Sequence, residues 1–230
     1  ATLTVEQDEN QTTKLIGRSG IQNYGTVVVY NGTIESYNRN AYWGSPDSTL
    51  TVYDGSFTST SGSSGYGRAI STEGDVTIYG GSFYAGGKSG AGDNYMNAIG
   101  MFNGAKLVIQ PAEGKTVTVT SETDYAISSM GNAKLFIYGG TFACNGSRSD
   151  IRDFASGNVQ IFGGSFKHEP YADYLADNRI AVLEDGNYVV KETTTTDVTV
   201  DSYEDLVNAL NGSILEPKNV TTNGNITIPA

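Results

Sequence analysis

A nine-residue unit, Asp75-Val76-Thr77-Ile78-Tyr79-Gly80-Gly81-Ser82-Phe83, constrains this chain more than any other stretch. It reads as a strand, a glycine corner and the start of a second strand. Variants recur over residues 26–34, 49–57, 134–142 and 158–166, with the second corner residue at Gly32, Gly55, Gly81, Gly140 and Gly164. The steps are 23, 26, 59 and 24 residues, and a degenerate copy, Lys106-Leu-Val-Ile-Gln-Pro111, splits the long step into two ordinary periods. A fixed period of this length is the mark of a stacked-repeat architecture.

The copies also show how one repeat is built. Val76 and Ile78 alternate with Thr77 and Tyr79, which makes one strand face apolar and the other mixed. Leu50/Val52, Leu107/Ile109, Leu135/Ile137 and Val159/Ile161 keep the same parity. After the corner, Ile34, Phe57, Phe83, Phe142 and Phe166 add one large apolar residue per copy. A third short segment precedes most copies: Ala69-Ile70-Ser71, Ala98-Ile99-Gly100 and Ala126-Ile127-Ser128. Three short strands cannot enclose a core alone, but stacked turns bury continuous columns. The expectation is an all-β, parallel β-helix of about six rungs, with short capping elements and one short C-terminal helix.

The pattern apolar-x-Ile-Tyr-Gly-Gly-Ser/Thr-Phe, with Ala-Ile segments between copies, resembles the right-handed parallel β-helix repeats of secreted and surface proteins of gut bacteria. The resemblance covers roughly residues 20 to 190. It implies an adhesin-like module at the cell surface or outside the cell, binding a glycan or a host surface protein. Pectate-lyase-like enzymes and phage tailspikes share the architecture, so fold alone assigns no reaction. A polysaccharide lyase or glycoside hydrolase on this scaffold is one alternative, and a phage tail-fibre segment, which would need a trimer and a longer chain, is another.

Composition narrows the partners. A net charge of −11 argues against nucleic acid and anionic membrane surfaces, while neutral polymers and Ca²⁺ stay compatible with it. No apolar run is long enough to span a membrane, so no membrane insertion is expected. No residue pattern indicates a cofactor or a metal. The single cysteine, Cys144, is expected as a small, partly buried structural thiol, because its only candidate partner for catalysis is the lone His168. His168 itself is expected on the surface at the end of the stack. A monomer is expected.

Residues 1–19 are expected as an N-terminal cap, 20–192 as the β-helix with a terminal hairpin around Glu184-Asp185-Gly186-Asn187, and 193–230 as a linker plus a strand–helix–strand segment. That last segment is read either as a C-terminal cap or as the start of a further domain. Ser202 is a suitable N-cap for a helix ending before Gly212.

No catalytic set assembles in the sequence. Gly81 to Ser89 resembles a phosphate loop only superficially, since five residues rather than four separate its first glycine from Gly87-Lys88. Asp93, Asp124, Asp150 and Asp153 do not recur at matching rung positions, and Asp150-Ile-Arg152-Asp153 reads as a solvated, self-paired turn. The aromatic residues carry more information. Tyr30, Tyr53, Tyr79, Tyr138 and Phe162 share one repeat position, broken by Gln110, and should stack as an external column. The variable connections hold Tyr66, Tyr84 and Tyr95, with Tyr42 and Trp43, among Gly, Ser, Asn and Asp. These five are the candidate ligand-binding residues, because Tyr and Trp supply contact area while small polar residues supply hydrogen bonds.

Overall fold

The computed structural model describes residues 1–6, 13–60, 67–87, 96–154, 158–193, 196–211 and 218–222. The chain winds as an all-β parallel solenoid of about six turns, a full turn giving one strand to each of three sheets and a further strand continuing the first and second sheets. The first sheet stacks Thr2–Val5, Thr26–Val29, Thr49–Val52, Asp75–Ile78, Lys106–Ile109, Lys134–Ile137 and Val159–Ile161. The second stacks Lys14–Gly17, Thr33–Ser36, Ser56–Ser59, Gly81–Ala85, Val117–Ser121, Thr141–Cys144 and Gly164–Phe166. The third stacks Ile21–Asn23, Tyr42–Gly44, Ile70–Thr72, Ile99–Met101, Ile127–Ser129 and Ile151–Asp153.

Register converts the repeat into columns. Leu50, Val76, Leu107 and Leu135 align, as do Val52, Ile78, Ile109 and Ile137, and all are buried. On the second sheet Phe57 lies against Phe83 with ring centroids 5.3 Å apart, and Phe142 lies against Phe166 at 4.9 Å. Between them Val117 and Val119 occupy the positions of Gly81 and Phe83, so the degenerate copy keeps the core column with a smaller side chain. Each buried side chain of this size contributes roughly 1.5–3 kcal/mol relative to exposure.

The corners stack as tightly as the strands. Gly81 has φ +111°, and a Cβ there would lie 2.6 Å from the carbonyl oxygen of Gly55 one turn below. Only glycine meets both conditions.

Residues 1–19, expected as a cap, supply strands that pair in register with the next turn: Leu3 opposite Val27, and Leu15 opposite Ile34. At the other end, the hairpin Arg179–Glu184/Asn187–Glu192 adds antiparallel strands to the second sheet, and Tyr174 is buried beside an Ile161–Leu175 bridge. The turn residues Asp185 and Gly186 both have positive φ, as a tight two-residue hairpin requires. Beyond it, Thr196–Val200 and Lys218–Thr222 pair in parallel around the helix Tyr203–Asn211. Ser202 caps that helix, its Oγ accepting from the Asp205 N–H at 3.1 Å. The strand expected at Asn225–Ile228 and the helix stop at Gly212 lie outside the described residues. No described helix is long and apolar enough to cross a membrane.

Two acidic positions differ from the sequence expectation. Asp150 and Asp153 are 2% and 6% exposed, not solvated: Asp153 faces inward with Ile151 on the last strand of the third sheet, and Asp150 lies just before that strand. The Asp150 carboxylate accepts the backbone N–H groups of Cys144 at 2.6 Å and His168 at 2.7 Å, and His168 Nδ1 lies 3.0 Å away. His168, its side chain 34% exposed near the end of the stack, is held there by Asp150. Cys144 is fully buried, in register with Ser121 on the turn before. Burial pushes its thiol pKa up, against hydrogen bonds from the backbone of Arg148 and Gly146.

Candidate functional site

The site lies at the second connection from the second sheet to the third. Residues 37–41 join Thr33–Ser36 to Tyr42–Gly44. Ser36, Ser59 and, beyond Ala85, Ser121 share one column, and their hydroxyls reach back to the connection of the preceding turn. Ser36 Oγ donates to the Arg18 carbonyl, and Ser59 Oγ donates to the Arg39 carbonyl, both at 2.8 Å. The Arg39 N–H is shared between the Arg18 carbonyl and Ser36 Oγ, each at 3.0 Å. Asn40 Oδ1 accepts the Arg68 N–H at 3.2 Å. The backbone carrying Arg39 and Asn40 is thus fixed from both sides.

Against this support lies an open cleft of about 230 Å³, lined by Ser19, Gln22, Tyr24, Arg39, Asn40 and Trp43. Trp43 points outward from the third sheet, in register with Gln22 below and the small Ser71 above. Tyr24 meets the indole edge-on, centroids 5.4 Å apart at 63°, and is 72% exposed. Two aromatic surfaces, one guanidinium and two amide side chains therefore converge on one recess. Such a surface offers apolar contact to a ring and hydrogen bonds to its substituents.

The five expected ligand-binding residues fall in different places. Trp43 lines the cleft. Tyr42 does not: it is fully buried, and its hydroxyl accepts from Asn23 Nδ2 at 2.8 Å. The register explains the correction, since Tyr42 pairs with Ile70 and Ala41-Tyr42 is a copy of the Ala-Ile core segment with tyrosine in place of isoleucine. Burial raises the Tyr42 phenol pKa, only partly opposed by hydrogen bonds to Asn23 and Ser48. Tyr84 lies on the second sheet, not at the cleft, with its hydroxyl 3.2 Å from Glu122 Oε1. Burial, then the Glu122 hydrogen bond and charge, push its phenol pKa up. Tyr66 and Tyr95 lie outside the described residues.

Sequence reasoning missed Tyr24, Arg39 and Asn40. The available signal was positional: Tyr24 follows the first third-sheet strand directly, where its neighbour Trp43 would meet it.

The external aromatic column forms as expected. Tyr30, Tyr53 and Tyr79 stack at 5.0 and 5.3 Å, and Tyr138 stacks on Phe162 at 4.6 Å. Tyr53, between Tyr30 and Tyr79, has both ring faces covered by its neighbours.

Among the described residues no group of three or more His, Cys, Asp or Glu is arranged to hold a metal ion. Comparison with known proteins returns no matching family model, no matching curated sequence and no matching solved structure.

Proposed function

We propose that this chain is a non-catalytic recognition module of the cell exterior, in which a rigid solenoid presents a shallow aromatic cleft to a glycan. The observation that carries the reading is the Tyr24–Trp43 pair beside Arg39, Asn40 and Gln22, on backbone pinned by the Ser36 and Ser59 hydroxyls. Sugar rings stack on exposed aromatic faces, and their hydroxyls take up amide and guanidinium hydrogen bonds. The principal carboxylates are engaged elsewhere: Asp124 accepts the Tyr125 N–H, Asp150 the Cys144 and His168 N–H groups, and Asp153 the Asn158 N–H. An open cleft of this size gives weak binding at one site, which gains strength when many copies share a surface.

The test is a glycan array probed with the multivalent chain, with and without calcium, alongside Trp43→Ala. Retention of defined glycans by the parent and loss by Trp43→Ala, at unchanged melting temperature, is the expected result. Equal retention by both proteins would move recognition away from this cleft.

A further inference from the structure

We infer that the cleft selects an anionic sugar, a ring bearing a carboxylate or a sulfate, with the acid group held by Arg39. This rests on the reading of the cleft as a sugar site and names its ligand class.

The argument starts from a local reversal of charge. The whole chain has 25 acidic and 14 basic residues, yet residues 13–44 hold Lys14, Arg18 and Arg39 against Glu35 alone, three positive charges to one negative. Lys14 and Glu35 pair with each other at 3.0 Å, which leaves the two arginines as the local excess. Among the described residues no carboxylate lies within ion-pairing distance of either. Elsewhere Arg148 meets Asp124 and Arg179 meets Glu192, each at 3.4 Å, while Arg68 and Arg152 lie over the rings of Phe102 and Phe154.

Position adds to charge. Arg39 lines the cleft with Trp43 and Tyr24, and its backbone is held by three hydrogen bonds to the neighbouring turns and to Ser36. Holding the backbone shortens the search its side chain must make. A guanidinium offers a planar fork that matches a carboxylate or sulfate with two parallel hydrogen bonds. A ring lying on Trp43 would then place a substituent toward that fork. Arg18, on the preceding turn, adds same-sign field without lining the recess. The overall negative charge of the chain works against anionic ligands at long range, but salt at physiological strength screens charges beyond about 8 Å. The local excess therefore decides.

The experiment measures affinity of the full chain for 3′-sialyllactose, 3′-sulfated lactose and lactose by calorimetry or ligand-observed NMR, at low and high salt. The expected order places the two anionic sugars roughly tenfold above lactose, with the advantage shrinking as salt rises. Arg39→Gln should erase the difference, bringing the anionic sugars to the level of lactose on the same variant, Arg39→Lys should restore part of it, and Trp43→Ala should weaken all three sugars. The carboxylate and sulfate arms separate the two acid groups. Equal affinity for all three sugars, no binding of any of them, or an anionic preference that survives Arg39→Gln would overturn the inference. If lactose binding survives Trp43→Ala, the reading of the cleft as the site fails instead.

Discussion

Phe83 shows what one repeat position contributes. Its ring is fully buried between the turns that carry Phe57 and Val119, so a truncation there leaves a hole that paired strands cannot close. Phe83→Ala should cost about 3–5 kcal/mol in urea unfolding, and a loss below about 1 kcal/mol would contradict the register. Tyr42 tests burial by a different route. Its phenol pKa is raised in the fold, so its stabilising contribution is intact below the ordinary tyrosine value and is lost as pH rises through the elevated folded value. Alkaline unfolding should begin above about pH 10, and Tyr42→Phe should move that limb to higher pH. Tyr84 and Tyr174 shift in the same direction, so the limb should move rather than vanish. At neutral pH the same variant should lose about 1 kcal/mol with the Asn23 hydrogen bond. Tyr42 also marks where sequence reading stops. An aromatic pair after Arg39-Asn40 looks like loop chemistry, and only its pairing with Ile70 reveals that one of the two belongs to the core.

At the scale of elements, the strands with Val/Ile alternation and the Phe corners were legible because period and parity repeat. The rest was obscured by substitution within the same geometry. Val117-Thr-Val119 lacks the glycine and the phenylalanine that marked its siblings, and it is still the next second-sheet strand. Asp150-Ile-Arg-Asp153 looked polar, yet Asp153 shares the inward parity of Ile151 on the last third-sheet strand, and Asp150 is buried just before that strand. There Asp150 accepts hydrogen bonds from two backbone donors, the Cys144 and His168 N–H groups. Asp150→Ala should therefore cost roughly 2–4 kcal/mol, since buried N–H groups would lose their acceptor. A change under about 0.5 kcal/mol, read by the same urea titration, would mean that water replaces the carboxylate without penalty. The cleft was only half legible: Trp43 is visible as a loop-like aromatic, but Tyr24 and Arg39 reach it through turn-to-turn stacking that no local pattern encodes.

The whole molecule behaves as a one-dimensional array in which each turn is stabilised by its neighbours. Among the described residues the last turn is covered by the Arg179–Glu192 hairpin and Tyr174, whereas Leu3 and Leu15 on the first turn are 45% and 40% exposed although they continue core columns. Hydrogen exchange should be slowest in the turns spanning Asp75–Ile78 to Lys134–Ile137 and fastest along Thr2–Val5 and Lys14–Gly17. Uniform protection along the stack would show that the chain opens as a single unit. The cleft spans the first and second turns, on backbone held by the Ser36 and Ser59 hydroxyls, so recognition depends on those turns being in register. Trp43 is the sole tryptophan of the chain and lies in that cleft, which makes its emission a direct report on occupancy. Titration of the folded protein with any glycan retained on the array should give a saturable change in Trp43 fluorescence that tracks independently measured binding. Saturable binding with no change in that emission would contradict the account.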